Sequence, residues 1–176
     1  MILFPRVPTA VARICAAVAV LVTAASVTRA DIIAGPATLP FNGGANTKWG
    51  MEIHANRSVF LAGFDFFHRA IGNSGTITFK DTTTNTLLFS ASYTSADGSP
   101  LHFSPNVLLT PGDNYELINT KTGGSFSDAV WSNTVPFPNV SLTNGDITAT
   151  RSIYDSFTDH ISWFSFKNIT TAVPEP

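Results

Sequence analysis

Apolar and polar residues alternate in short runs along most of this chain, and these runs lack the helical period of about 3.6 residues. In Gly75 to Lys80, Ile77 and Phe79 fall on one face of a predicted strand, and polar residues fall on the other. A second alternating run, 85–94, follows the turn-forming residues 81–85. The two runs therefore predict a β-hairpin.

The alternation also predicts which side chains face a core, because successive residues of a strand point to opposite faces. In the second run the predicted core-facing residues are Leu87, Phe89, Ala91 and Tyr93, with Leu88 on the other face. The run 146–154 places Ile147, Ala149 and Ile153 on one face. Asn144-Gly145, just before this run, predicts a tight turn.

Other runs are apolar on both faces, which is typical of central strands. They cover 58–67 and 161–166, and further strands are predicted at 49–54, 101–109, 115–118 and 129–131. Turn-forming residues recur about every ten residues, a spacing typical of sandwiches and barrels. We therefore predict an all-β fold, a single antiparallel β-sandwich of the jelly-roll type, over residues 31–171.

The first thirty residues have the layout of a secretory signal peptide. Arg6 and Arg13 precede an apolar run at 14–27, and small residues surround Arg29 before the predicted cleavage after Ala30. The run is shorter than the about 20 apolar residues that span a bilayer. Removing 30 of the 176 residues leaves 146 without cysteine, because the single cysteine lies in this segment. The protein is therefore predicted to be exported and held together by its core alone.

The composition argues against nucleic acid and anionic membranes as partners, since both are bound by basic patches. Three of the ten basic residues lie in the predicted signal peptide, so seven remain against twelve acidic ones, a net charge of −5. Charged residues make up only 12% of the chain, below the usual fraction of about 25%. Threonine, serine and asparagine take the polar positions instead, which suits extracellular β-structure.

One segment carries a family resemblance. It reads GTITFKDTTTNTLLFSASYT and, a few residues later, FSPNVLLTPGDNYEL. This order of strand, turn, strand and Pro-Gly turn resembles bacterial extracellular jelly-roll modules of unassigned function. The resemblance covers Gly75 to Leu117; it implies the fold and a surface location, and it implies no catalytic residue.

The sequence ends with a short Pro-rich tail, 172–176, in which the last four residues are Val173, Pro174, Glu175 and Pro176. These four resemble the start of the PEP-CTERM sorting signal of Gram-negative, polysaccharide-producing bacteria. There the Pro-Glu-Pro motif precedes an apolar membrane segment and an Arg-rich end, and an exosortase processes the protein. Neither the apolar segment nor the Arg-rich end follows the motif here. The resemblance therefore implies a truncated signal and no C-terminal membrane anchor in the chain as given. Residues 168–172 are interpreted as the junction before the tail; the alternative is a Pro-rich end without a sorting role.

Candidate metal ligands and nucleophiles are few. The four histidines are His54, His68, His102 and His160. None shows the spacing of a zinc site, so no metal cluster and no cofactor is predicted. Acidic turns at 97–99, 112–114 and 144–146 offer oxygen ligands to a structural Ca²⁺, although turn geometry already explains them. No G-x-S-x-G elbow is present, so no serine nucleophile is predicted.

The strongest binding candidates are tryptophans, whose exposed rings can stack on sugars. Trp131 leads because it lies in a loop-rich stretch with two prolines, and Trp49 and Trp163 are the other two. Packing in the core is the alternative role for each of them. Glu52 and Glu116 lie in different predicted strands and could face each other, as glycosidase carboxylates do at about 5–10 Å. Such pairs also arise by chance in a large sandwich.

The sequence therefore predicts an exported, non-enzymatic cell-surface or extracellular-matrix protein that associates with exopolysaccharide or the envelope. Its predicted partners are extracellular polysaccharide and, through a complete sorting signal, an exosortase. One alternative is a carbohydrate-binding module with a site built on tryptophan. The other is a glycan-active hydrolase or lyase that uses Glu52 or Glu116.

Overall fold

The computed structural model describes residues 31–34, 41–42, 47–67, 72–96, 99–123, 129–130, 142–154, 157–159 and 166–174. The strands within these ranges are β1 (Asp31–Ile33), β2 (Phe41–Asn42), β3 (Lys48–Ala55), β4 (Val59–Phe66), β5 (Ser74–Asp81), β6 (Thr86–Thr94), β7 (Leu101–Phe103), β8 (Val107–Leu109), β9 (Asn114–Gly123), β10 (Ala129–Val130), β11 (Ile147–Tyr154), β12 (Phe157–Asp159) and β13 (Phe166–Ala172). This part of the chain forms no helix, and so none that could cross a membrane.

The strands form two large antiparallel sheets that pack face to face. The five-stranded sheet has the order β1-β13-β4-β7, with β8 also paired to β4. The six-stranded sheet has the order β12-β11-β3-β9-β5-β6, and β10 pairs with β2 apart from both. The prediction of a single antiparallel β-sandwich is thus confirmed.

The strand order is that of a jelly roll. The paired strands are nested along the chain. The outermost pair is β1 with β13, and inside it comes the pair β3 with β9. Next comes β4 with β7 and β8, and the innermost pair is β5 with β6. Successive pairs alternate between the two sheets, as when one long hairpin is folded over on itself. The hairpin of β11 and β12 is inserted before β13 and extends the six-stranded sheet beyond β3.

Phenylalanines fill the space between the sheets. Phe64 of β4 is fully buried; its ring stacks on Phe103 at 5.4 Å and meets Phe166 edge-on at 5.5 Å. On the facing sheet, Phe79 stacks on Tyr115 at 5.3 Å. Phe166 is the one described residue of the apolar run 161–166, whose other residues lie outside the described ranges.

Two predicted alternations are broken by β-bulges, which place one extra residue in a strand. Phe89 pairs with Phe79, but the next pair joins Leu87 to Lys80, so Leu88 is the extra residue. Leu88 consequently packs against the core and Leu87 is 58% exposed. The predicted core position of Leu87 was therefore wrong.

The second bulge moves Ile153 out of the core. Ala149 pairs with Ile53 and Arg151 pairs with Glu52, which makes Thr150 the extra residue of β11. Ile147 and Ala149 join the core as predicted. Ile153, however, pairs with Gly50 and lies on the outer face of the six-stranded sheet, so its predicted position was wrong.

Two segments differ from the predicted strand boundaries. The run 101–109 forms two short strands, β7 and β8, separated at Ser104-Pro105-Asn106, where Asn106 has a φ of 51°. Residues 168–172, interpreted as a junction, belong to β13, which pairs with both β1 and β4. Folded structure therefore extends to Ala172, one residue into the predicted tail.

The hairpin of β5 and β6 is closed by Asp81, whose Oδ1 accepts backbone hydrogen bonds from Thr83 at 2.8 Å and Thr84 at 3.0 Å. Asn85 completes the turn with a φ of 60°, a conformation that asparagine tolerates well. Burial acts to raise the pKa of Asp81, but the hydrogen bonds from Thr84 and Thr83 outweigh it and hold this pKa below its ordinary value.

A lowered pKa in the folded state makes the contribution of Asp81 to stability depend on pH. That contribution is present above the ordinary aspartate pKa and is lost as the pH falls through the lowered one. We expect Asp81→Asn to reduce the free energy of unfolding by about 1 kcal/mol at pH 7, and by less as the pH falls through that range. Urea unfolding of both proteins measures the difference; an equal loss at every pH would contradict the role of the charge.

Candidate functional site

Four charged residues form a row across the outer face of the six-stranded sheet. Arg151 of β11 is opposite Glu52 of β3, Glu52 is opposite Glu116 of β9, and Glu116 is opposite Lys80 of β5. We call these four residues the charge row. Their side chains point away from the core, because the alternate residues of β3 and β9 are the buried ones.

The two glutamates of the charge row are direct cross-strand partners, so their Cβ atoms are about 5 Å apart. Like charges in this arrangement repel, but each glutamate also has a cationic neighbour in register. Glu52 Oε2 accepts a hydrogen bond from Arg151 Nη2 at 2.6 Å, and Glu52 Oε1 accepts one from Thr150 Oγ1 at 2.8 Å. The Glu52 side chain is 14% exposed and is held in place by both.

Neutral polar groups extend the same face. His54 Nδ1 and Asn114 Oδ1 are 2.9 Å apart on neighbouring strands, with Thr148 opposite His54. Towards the β6 edge the outward positions are hydroxyls, namely Thr76, Thr78, Ser90 and Ser92. The face therefore offers charged groups beside hydrogen-bonding hydroxyls.

A covered patch bounds the charge row on one side. Ile118 and Ile153 flank Gly50 on the outer face, yet both isoleucines are buried. A Cβ on Gly50 would lie 2.5 Å from the carbonyl oxygen of Leu117, so glycine is required at this close approach.

The tryptophans do not assemble into a described stacking surface. Trp49 is only 5% exposed, and its position in β3 places it on the inner side of the sheet. This burial removes Trp49 from the sugar-stacking candidates. Trp131 and Trp163 lie outside the described residues, as do Glu175 and Pro176 of the sorting motif.

The acidic turn at 144–146 has its carboxylate already bound by protein groups. Asp146 is fully buried, and Arg57 forms an ion pair with its Oδ1. Thr171 Oγ1 donates to Oδ2 at 2.6 Å. Both oxygens that could hold Ca²⁺ are therefore engaged. In the part of the chain that the structure describes, no three His, Cys, Asp or Glu side chains form a group that could hold a metal ion.

A second polar cluster, missed by the sequence analysis, lies on the five-stranded sheet. His102 Nδ1 is 2.8 Å from Asp65 Oδ1, and Ser104 Oγ is 3.2 Å from His102 Nε2. Asn168 Nδ2 donates to Asp65 Oδ2 at 2.6 Å. The available signal was the spacing of His102 and Ser104, two residues apart in a predicted strand and thus on one face. The sequence could not show that Asp65 joins these two residues, because the pairing of β4 with β7 is visible only in the folded topology.

Lys167 is the cation beside this cluster. It is opposite Asp65 in the register of β13 and β4, and its Nζ lies 4.8 Å from the centre of the Phe67 ring. Burial lowers the pKa of Lys167, and the charge of Asp65 acts in the opposite direction. Asp65 is therefore flanked by a histidine on one side and a lysine on the other.

The fold defines the class of this protein as an antiparallel jelly-roll β-sandwich. A scan against protein-family models gives no match to the chain, and a search of curated proteins gives none either.

Proposed function

We propose that this protein is an exported cell-surface or extracellular-matrix protein that binds extracellular polysaccharide through the outer face of the six-stranded sheet. The observation that carries this proposal is the charge row in register across four adjacent strands. Strands hold such side chains at spacings of about 4.8 Å, so the row is a rigid array. Rigid polar groups lose little entropy when a ligand binds.

The chemistry of the row suits sugar hydroxyls, each of which can donate and accept a hydrogen bond. The carboxylates accept and the cations donate, and hydrogen bonds to charged groups are the stronger ones. Glu116 is half-buried, as the other three members of the row are, and the hydrogen bond of Arg151 goes to Glu52 and not to Glu116. We therefore assign the main ligand contact to Glu116.

The charge balance favours a neutral polysaccharide over an acidic one. The row itself has no net charge, but the mature chain is net negative once the predicted signal peptide is removed. An acidic polymer would be repelled by that surface as it approaches. The neighbouring hydroxyls of β5 and β6 add uncharged contacts.

The proposed location depends on the sequence, and the fold is compatible with it. Strand β1 begins at Asp31, the residue that follows the predicted cleavage site, and pairs with β13. Cleavage there would leave every described strand intact. Sequencing the N-terminus of protein recovered from the medium should give Asp31 first; retention of residues 1–30 would contradict cleavage.

The proposed sorting role depends on the resemblance of the last four residues to the PEP-CTERM signal. Val173 and Pro174 follow β13 directly, and proline cannot donate a ladder hydrogen bond. An exosortase is the proposed partner at this tail. Reading the gene beyond the codon for Pro176, in all frames, tests for an apolar segment and an Arg cluster.

Affinity electrophoresis of the full chain tests the proposed binding face. The gels would contain a neutral glucan, a galactomannan or an acidic uronate polymer. We expect a neutral polymer to retard the protein, and Glu116→Gln to raise the dissociation constant at least about tenfold, the effect of losing one charged hydrogen bond. Asp113→Asn removes the same charge from a turn outside the charge row and should bind like wild type.

Three results would contradict this binding face. Equal retardation of wild type and Glu116→Gln would exclude the charge row as the site. Loss of retardation in Trp131→Ala alone would move the site to the tryptophan alternative. Release of reducing ends that is lost in Glu116→Gln would show that the two opposed glutamates hydrolyse glycans rather than bind them.

A further inference from the structure

We propose that Ser104, His102 and Asp65 form a catalytic centre that hydrolyses carboxylic esters. Ser104 Oγ is 3.2 Å from His102 Nε2, and His102 Nδ1 is 2.8 Å from Asp65 Oδ1. Such a chain of contacts from hydroxyl to imidazole to carboxylate is recognised by its geometry and not by its place in the sequence. The centre adds an activity to a protein that its sequence predicts to be non-enzymatic.

Two neighbouring strands and the turn after one of them position the three groups. Asp65 of β4 and His102 of β7 are direct register partners, so their side chains extend from the same face of the sheet. Ser104 comes just after the end of β7, on the same side as His102. The sheet therefore sets the order serine, histidine, aspartate.

The outer oxygen of the aspartate is also held. Asn168 Nδ2 donates to Asp65 Oδ2 at 2.6 Å, and Asn168 has a φ of 50°, an uncommon conformation for a residue other than glycine. With Oδ2 bound there, Oδ1 is left for the histidine. Asp65 thus fixes the tautomer with the proton on Nδ1, which leaves Nε2 free to accept the proton of Ser104. Asp65 and Asn168 are positioning residues, and Ser104 and His102 are the catalytic ones.

The reaction follows from these positions and needs only an ester and water. Ser104 Oγ bonds to the ester carbonyl carbon while its proton passes to His102 Nε2. The intermediate collapses, the bond from carbon to the alcohol oxygen breaks, and His102 returns the proton to the leaving alcohol. A water molecule, deprotonated by His102, then attacks the acyl-serine; the carboxylic acid leaves and Ser104 regains its proton.

The exposure of the centre indicates the class of substrate. The His102 side chain is 64% exposed, and Ser104 is exposed as well. An open site can receive an ester carried on a large molecule or surface. It excludes little water and so gives modest electrostatic stabilisation, which suits esters better than the less reactive amides. This inference is independent of the proposed polysaccharide site, which is on the other sheet.

Two probes applied to the full chain test the proposal. We expect a fluorophosphonate to label Ser104, located by peptide mapping, and p-nitrophenyl acetate to be hydrolysed. Ser104→Ala should abolish labelling and reduce hydrolysis at least about 100-fold, and His102→Gln should do the same. Ser58→Ala, which changes an exposed serine between β3 and β4 that belongs to neither proposed site, is the matched control and should behave like wild type.

The positioning role of Asp65 has its own readout. Asp65→Asn should lower kcat with little change in KM. The His102 ring would no longer be held in the tautomer with its proton on Nδ1, whereas ester binding would be unchanged. Circular dichroism and the thermal midpoint would show that each variant is folded. Absence of labelling, labelling at another residue, or equal hydrolysis by wild type and Ser104→Ala would each overturn the proposal and leave the cluster as a link between β4 and β7.

Discussion

Replacing Phe64 by alanine is expected to lower the free energy of unfolding by about 3–5 kcal/mol, the usual cost of deleting a buried aromatic ring. Phe64 is fully buried in β4, a central strand of the five-stranded sheet. Its ring contacts Phe103 and Phe166 of its own sheet and, edge-on at 6.3 Å, Phe89 of the facing sheet. The substitution therefore removes packing within one sheet and between the two.

Urea or thermal unfolding of the full chain measures this effect. Phe60→Ala is the matched control, because Phe60 lies on the same strand, is half-buried, and pairs with the exposed Leu108. We expect the control to lose clearly less stability than Phe64→Ala. Equal losses would mean that the ring of Phe64 does not connect the two sheets, contrary to the packing described above.

The alternation of apolar and polar residues predicted the core where strand pairing is regular. Ile77 and Phe79 face the core as expected, since β5 pairs residue by residue with its neighbours over that stretch. Alternation failed at Leu88 and Thr150, the two extra residues of the bulges. A bulge is defined by which residue of the partner strand is opposite, and one sequence read alone contains no information on that register.

The candidate sites show the same limit. The sequence placed Glu52 and Glu116 in different strands, but their direct opposition follows from the pairing of β3 with β9. Asp65 lies in a run that is apolar on both faces, so nothing marked it as a partner of His102 until β4 and β7 were paired. Trp49 lies between Lys48 and Gly50 at the start of its strand, and only the packed structure shows that it is buried. The local pattern of apolar and polar residues thus predicts which side chains share one face of a strand. The topology of the sheets decides which strands are paired and so which of these side chains come together.

Replacing Asp146 by alanine is expected to lower the free energy of unfolding by about 3 kcal/mol, the size of effect seen when a buried, hydrogen-bonded charge is removed. Asp146 is fully buried at the turn before β11. Its carboxylate binds Arg57, which follows β3, and accepts a hydrogen bond from Thr171 of β13 at 2.6 Å. One side chain therefore links both sheets, and its loss leaves the buried Thr171 hydroxyl without that acceptor.

Asp113→Ala is the control for this prediction, because Asp113 also lies in a turn but is half-buried and should lose well under 1 kcal/mol. The same experiment tests the alternative raised in the sequence analysis, that this turn holds a structural Ca²⁺. Since Arg57 and Thr171 already engage both carboxylate oxygens, EDTA should leave the unfolding midpoint of the wild type unchanged. A fall in the midpoint with EDTA that disappears in Asp146→Ala would show instead that a cation competes with Arg57 for the carboxylate.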